Sequence, residues 1–213
     1  MTNFTLHIST LRTSFHTLAA VAALALFGIN ASAAELRSDS EGYIRDWVML
    51  APVTQPEGES CAEALLKSQL PNEAALRPKA GDKVKVGGKE LTWRNVTAAT
   101  NYFDFNETLK SINDHAAGYM VTYIECDQET PDVMLAVASN DQGRIYFNGV
   151  DIYAFTEARP LMLDADRGKV TLKKGVNVFV FKVTNEQNAW QGAMRLLDKA
   201  GAPLKNIRIK LQP

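Results

Sequence analysis

From residue 43 onward, apolar residues recur in short alternating runs or short continuous runs, the pattern of strands rather than long helices. Residues 43–51 (Y-I-R-D-W-V-M-L-A) predict a first strand, stopped by Pro52. Residues 55–60 are polar, carry Pro56 and Gly58, and predict a loop. Residues 61–70 (C-A-E-A-L-L-K-S-Q-L) are strong helix formers ahead of Pro71 and predict the one short helix. Residues 83–86 and 90–96 flank Gly87-Gly88 as a hairpin, and 101–114 fits a strand followed by a helical turn. Strands are then predicted at 118–126, 133–139, 144–148, 150–155, 169–172, 176–184, 190–197 and 206–211. Turn residues separate them, at 140–143, Asn148-Gly149, Lys174-Gly175 and 199–201. Many short strands at close spacing predict a β-sandwich or barrel.

Asn148-Gly149 fits a type I′ turn, whose two central residues both need positive φ. A regular hairpin about it pairs Phe147 with Val150, Tyr146 with Asp151, Ile145 with Ile152 and Arg144 with Tyr153. One face then carries Ile145, Phe147, Val150 and Ile152, and the other Arg144, Tyr146, Asp151 and Tyr153. The apolar runs 133–138 and 176–183 read as central strands covered on both sides, with the helix at 61–70 supplying part of the cover.

Three stretches together resemble a known family. Residues 43–52 are similar to the Y-x-x-x-W-x-x-x-G-P opening of certain secreted modules, with Ala51 where Gly is usual. Residues 135–149 (L-A-V-A-S-N-D-Q-G-R-I-Y-F-N-G) resemble the L-x-x-x-S-D-D-G-x-x-x-x-x-N-G stretch of galactose-binding-like and protective-antigen-type domains. Residues 172–177, 182–185 and Trp190 resemble the L-x-x-G-x-N, K-x-x-N and W that close those modules. The resemblance, over about 43–197, implies a mainly β, jelly-roll β-sandwich that binds carbohydrate or another surface. It implies calcium only through an Asp-Asp pair, and the matching positions here are Asn140 and Asp141. One carboxylate is lost, and Ca²⁺ prefers several oxygen ligands.

Ahead of this domain, residues 18–29 form an apolar run too short to span a bilayer comfortably. Arg12 precedes it and Ala31-Ser32-Ala33 follows, which predicts a signal peptide over 1–33 and one domain over 34–213. The expected location is periplasmic or secreted, with no stable membrane insertion after cleavage. The whole chain of 213 residues has 23 Lys and Arg against 24 Asp and Glu, so no nucleic-acid partner is expected. The expected partner is a glycan or an envelope protein. In an oxidising compartment Cys61 and Cys126 either form a disulfide or stay as two buried thiols. The bond would close a loop of about 65 residues and contribute about 4 kcal/mol.

Of three histidines, only His115 lies beyond residue 33, so no multi-histidine metal centre is expected. Ser111, Asp114 and His115 are neighbours in sequence but read as a solvated turn. Two carboxylate pairs, Asp127 with Glu129 and Asp164 with Asp166, would suit a small glycosidase and otherwise read as solvated loops. A non-catalytic module is the leading expectation. Sugars combine hydroxyls with C–H faces, so a flat aromatic beside polar groups is the chemistry to seek. The predicted site is Arg144, Tyr146, Asp151 and Tyr153 on the hairpin, with Trp190 at a loop edge and Asn140 and Asp141 beside it. A protein-interaction module without sugar affinity is the alternative.

Overall fold

The computed structural model describes residues 35–213; the predicted signal peptide at 1–33 lies outside the described residues. The strands, in chain order, are β1 (Asp46–Thr54), β2 (Lys83–Val86), β3 (Lys89–Thr92), β4 (Arg94–Thr97), β5 (Phe103–Asp104), β6 (Ala116–Cys126), β7 (Thr130–Ser139), β8 (Gly143–Phe147), β9 (Val150–Phe155), β10 (Asp166–Leu172), β11 (Gly175–Asn185), β12 (Gln191–Leu197) and β13 (Ile207–Lys210). The helices are α1 (Cys61–Leu66) and α2 (Phe105–Leu109), with a single 3-10 turn at Glu73–Ala75. A seven-stranded sheet runs β4-β1-β6-β11-β8-β9, with β13 also on β6, and a four-stranded sheet runs β10-β7-β12-β5. All the pairings are antiparallel.

The two sheets face each other across one apolar layer, the arrangement of a β-sandwich. Trp47, Met120, Ile124, Ile145, Phe179 and Phe181 enter it from the larger sheet; Val133, Leu135, Val137, Met194 and Leu196 enter from the smaller. Strand alternation sends Val48, Leu50, Tyr119, Val121, Tyr123 and Val180 to the opposite face of the larger sheet. Such a face cannot stay bare. The segment 55–93, bearing α1, the 3-10 turn and the β2–β3 hairpin, covers it through Leu70, Leu76, Val84, Leu91 and Trp93. The molecule is therefore a sandwich with a third, outer layer, and the fully apolar look of β6 and β11 reflects cover on both faces.

Several predicted boundaries move for local reasons. Strand β1 continues past Pro52, because the ladder shifts register between Leu50 and Val53 and the missing N–H falls in that irregularity. Helix α1 stops at Leu66 rather than at 70; Lys67 is already extended. Its start is a capping box, with the Ser60 hydroxyl accepting from the Glu63 N–H and the Glu63 carboxylate accepting from the Ser60 N–H. The stretch after the β2–β3 hairpin turns at Trp93 into β4, which pairs with β1 instead of extending the hairpin.

Candidate functional site

The hairpin at Asn148-Gly149 forms as predicted at its tip: Phe147 faces Val150, Tyr146 faces Asp151, and both turn residues have positive φ. Between Ile145 and Tyr146 the register slips by one residue. Ile152 is the extra residue, so Ile145 faces Tyr153 and Arg144 faces Ala154. The predicted aromatic face is thereby divided, because a one-residue slip sends every later side chain to the other face. Tyr146 points into the outer layer, and Tyr153 points between the sheets.

The Tyr146 ring is buried and the Tyr153 ring half-buried, and the two lie on opposite faces of the sheet. The Tyr146 hydroxyl donates to Glu73 Oε1 (3.1 Å) beneath the 55–93 segment. The Tyr153 hydroxyl donates to Asp166 Oδ2 (2.8 Å) and accepts from Arg159 (2.9 Å). Trp190 is fully buried, stacked on Phe105 with centroids 4.2 Å apart, and its indole N–H donates to the Val183 carbonyl (3.1 Å). Arg144 and Asp151, predicted to share a face, do meet, through the Arg144 Nη2 to Asp151 Oδ2 pair at 2.6 Å. The five residues are thus not brought together on one surface: Tyr146 and Trp190 are buried, Tyr153 lies on the other face, and Arg144 and Asp151 pair with each other.

The remaining predicted chemistry is also dispersed. Asn140 Nδ2 donates to the Arg159 carbonyl (3.3 Å), and Asp141 Oδ2 accepts from the Glu186 N–H (2.9 Å). Among the described residues no group of three or more His, Cys, Asp or Glu side chains is placed to hold a metal ion. Asn140 and Asp141 supply one carboxylate between them, and Asn140 Oδ1 is buried without a hydrogen-bond partner. Burial pushes the Asp141 carboxyl up. Both cysteines are free thiols. The Cys61 thiol contacts Gln55 and the Asn185 carbonyl; Asn185 pairs with Ala116 at one end of β6, and Cys126 lies at the other. Ten residues of strand span about 33 Å, far beyond the roughly 7 Å reach of a disulfide.

Three of the four paired carboxylates have a cationic partner, and Glu129 is exposed. Asp164 is held by Arg195, with Nε to Oδ1 at 2.8 Å, and Asp166 by Arg159 and Tyr153. Burial alone would raise Asp166, but the guanidinium and the phenol outweigh it and hold the carboxyl below its ordinary value. Asp127 is paired with Arg208 at 2.6 Å. Ser111 receives Asn113 Nδ2 and Asp114 accepts the Asn188 N–H, so neither is joined to His115.

Two features escaped the sequence reading. The first is a fully buried ion pair in the outer layer. Lys182 Nζ donates to Glu73 Oε1 (3.2 Å) and to the Ala64 and Lys67 carbonyls (both 2.7 Å). Arg144 Nη1 donates to the Leu65 and Leu66 carbonyls (3.3 and 2.7 Å). Two cations of the sheet thus satisfy the carbonyls that the end of α1 leaves open. Glu73 Oε2 also accepts from the Tyr119 hydroxyl (2.7 Å) and the Gln69 N–H (2.8 Å). Burial lowers Lys182 despite Glu73, and burial followed by the charge of Glu73 raises Tyr119 and Tyr146. The cluster is sealed, and its geometry is that of a clamp.

The second feature is a cleft of about 360 Å³ where the end of β1 meets the tip of the β2–β3 hairpin. Pro52, Val53 and Pro56 form one wall, and Val86, Gly87 and Leu91 the other. Thr54 and Lys89 supply exposed polar groups; the Gln55 side chain is held by Ala116 and Cys61. Its size is at the lower end of ordinary ligand pockets, roughly 300–1,000 Å³. The only sequence signals for it were the prolines flanking the end of β1 and the Gly87-Gly88 turn.

Comparison with known proteins places the chain in no family: no family model matches it, and no curated protein matches it. No helix among the described residues is long and apolar enough to cross a membrane.

Proposed function

We propose that this chain is a non-catalytic β-sandwich module that binds carbohydrate, through the cleft at the end of β1 and not through the hairpin tyrosines. The observation that carries this reading is the composition of that cleft: apolar walls for sugar C–H faces, with Thr54 and Lys89 exposed for hydroxyls. The resemblance of 43–197 to galactose-binding-like modules supports it, and the jelly-roll connectivity, the secreted location and the signal peptide belong to the same reading. Separate neutralisation of Asp164 and Asp166 supports a binding role over a glycosidase, which needs one carboxyl protonated and one free.

The test is a glycan panel probed with the purified protein in calcium and again in chelator. Retention of at least one carbohydrate in both conditions is expected, because Asn140 and Asp141 offer a single carboxylate between them and neither lines the cleft. Tyr146→Phe should bind as well as the parent. A blank panel, or binding abolished by chelator, overturns the reading in this form.

A second reading, a protein-interaction module, rests on a different surface. Val150, Ile152, Met162 and Leu163, four of the six exposed large hydrophobic residues among those described, lie on the edge strand β9 and the loop after it. An edge without lysine or proline is open to pairing with another strand.

A further inference from the structure

We propose that the cleft at the end of β1 takes an acidic sugar residue, one bearing a carboxylate or a phosphate, with Lys89 as its charge partner. This rests on the carbohydrate reading above and narrows it to a chemical class.

Register decides where Lys89 points. In the β2–β3 hairpin Lys89 is directly opposite Val86, and Val84 is opposite Leu91. Directly opposed residues share a face. Val84, Val86 and Leu91 face the sheet, so Lys89 at the tip overhangs the cleft, while Lys83 and Lys85 face away. Lys89 is the one charged residue in the cleft lining, and among the described residues it has no carboxylate within salt-bridge distance. Gly87, beside it, would bring nothing within 4 Å even with a Cβ, so ligand atoms can approach that backbone closely.

The hairpin side of the cleft carries the same sign. Residues 77–94 contain six cations, Arg77, Lys79, Lys83, Lys85, Lys89 and Arg94, against only Asp82 and Glu90. Glu90 is paired with Lys83 (2.7 Å), and Asp82 accepts the Lys79 N–H (2.9 Å). The whole chain is balanced, 23 against 24, so this excess is a segregation of charge onto the β2–β3 hairpin and its flanks. A neutral sugar would leave Lys89 without a counter-charge, whereas an anionic one supplies it and is drawn in by the segment around it. The apolar walls separate this from a general attraction to anions, because they need a ring to fill them.

The experiment measures binding of the purified protein to oligogalacturonate, to phosphomannan, to neutral dextran and to phosphatidylglycerol vesicles. Binding to one of the two acidic polymers and not to dextran is expected, and the polymer preferred assigns carboxylate or phosphate. Lys89→Glu should weaken it about tenfold or more, Lys89→Arg should retain it, and Lys199→Glu, in a turn elsewhere, should leave it unchanged. Thr54→Trp, which fills the cleft from an exposed position, should abolish it. Urea midpoints of every variant confirm folding. Dextran bound as well as the acidic polymers, with Lys89→Glu silent, overturns the inference and leaves the carbohydrate reading standing. Vesicle binding that Lys89→Glu weakens and Thr54→Trp does not also overturns it, in favour of a membrane surface. No polymer bound and a blank glycan panel overturn both.

Discussion

At the residue scale the most consequential side chain is Lys182. It occupies an outward position in a strand otherwise filled by Val178 and Val180, yet it is fully buried. Removing water from a lone ammonium costs far more than a valine would contribute, so the position is tolerable only because Glu73 and two helix carbonyls saturate its three donors. Lys182→Met should therefore destabilise the protein by about 3–5 kcal/mol, since it strands the Glu73 carboxylate in the interior. Adding Glu73→Gln to it should recover part of that loss, which urea denaturation of the single and double variants would detect. Strictly additive costs would show that the two groups do not act as a pair. The phenols around them set a second expectation. Tyr119, Tyr123, Tyr146 and Tyr153 are all raised, with burial the largest cause in each. In the unfolded chain they ionise near 10, so above that pH the folded state holds more protons and stability falls as pH rises. Lys182 acts in the opposite sense: its lowered value makes stability climb as pH rises toward 10.5, and it adds nothing further beyond. The net expectation is a urea midpoint that drops steeply above about pH 10, with phenolate absorbance at 295 nm appearing in step with unfolding. Four phenolates titrating near 10 in the folded protein would contradict it.

At the element scale, close packing of aromatics fixes where strands need glycine. A Cβ on Gly118 in β6 would come within 2.3 Å of Phe105 and 2.8 Å of Trp190, which are themselves stacked. Gly118→Ala should cost about 1–3 kcal/mol by overpacking and lower the melting temperature, whereas Gly168→Ala, with nothing within 4 Å, should not. The contrast shows what the sequence made legible. Period-two alternation and short apolar runs located the strands of both sheets, and Asn148-Gly149 marked its turn, because those signals are local. The bulge at Ile152 was not legible: V-D-I-Y-A-F alternates in either register, and the shifted one brings the Tyr153 hydroxyl to the Asp166–Arg159 pair, which lies outside the hairpin. The clamp was illegible for the same reason. Glu73 lies 109 residues from Lys182, in a 3-10 turn whose local sequence resembles any polar connection. The predicted hairpin face divides beyond Tyr146 and Asp151, because the Asn148-Gly149 turn fixes the register only near itself.

At the scale of the whole molecule, the three layers are held by different means. The layer between the sheets is continuous and almost wholly apolar, with Trp47, Phe103, Phe105 and Phe181 meeting edge to face. The outer layer has only a six-residue helix, one 3-10 turn and a hairpin of two four-residue strands, docked by a few apolar contacts and by the Lys182–Glu73 clamp. Segments with fewer buried contacts and a short helix open at lower free energy than the core that carries them. Amides of 61–76 should therefore exchange with solvent before those of β6, β7, β11 and β12, read by hydrogen exchange with mass spectrometry. Lys182→Met should speed exchange in 61–76 while leaving β7 and β12 slow under conditions where the protein stays folded. That outcome would mean the outer layer is a separate cooperative unit, free to adjust around the cleft its hairpin helps to wall. Uniform acceleration across all three layers would mean instead that the clamp is part of the global fold, and that the cleft is as rigid as the sandwich beneath it.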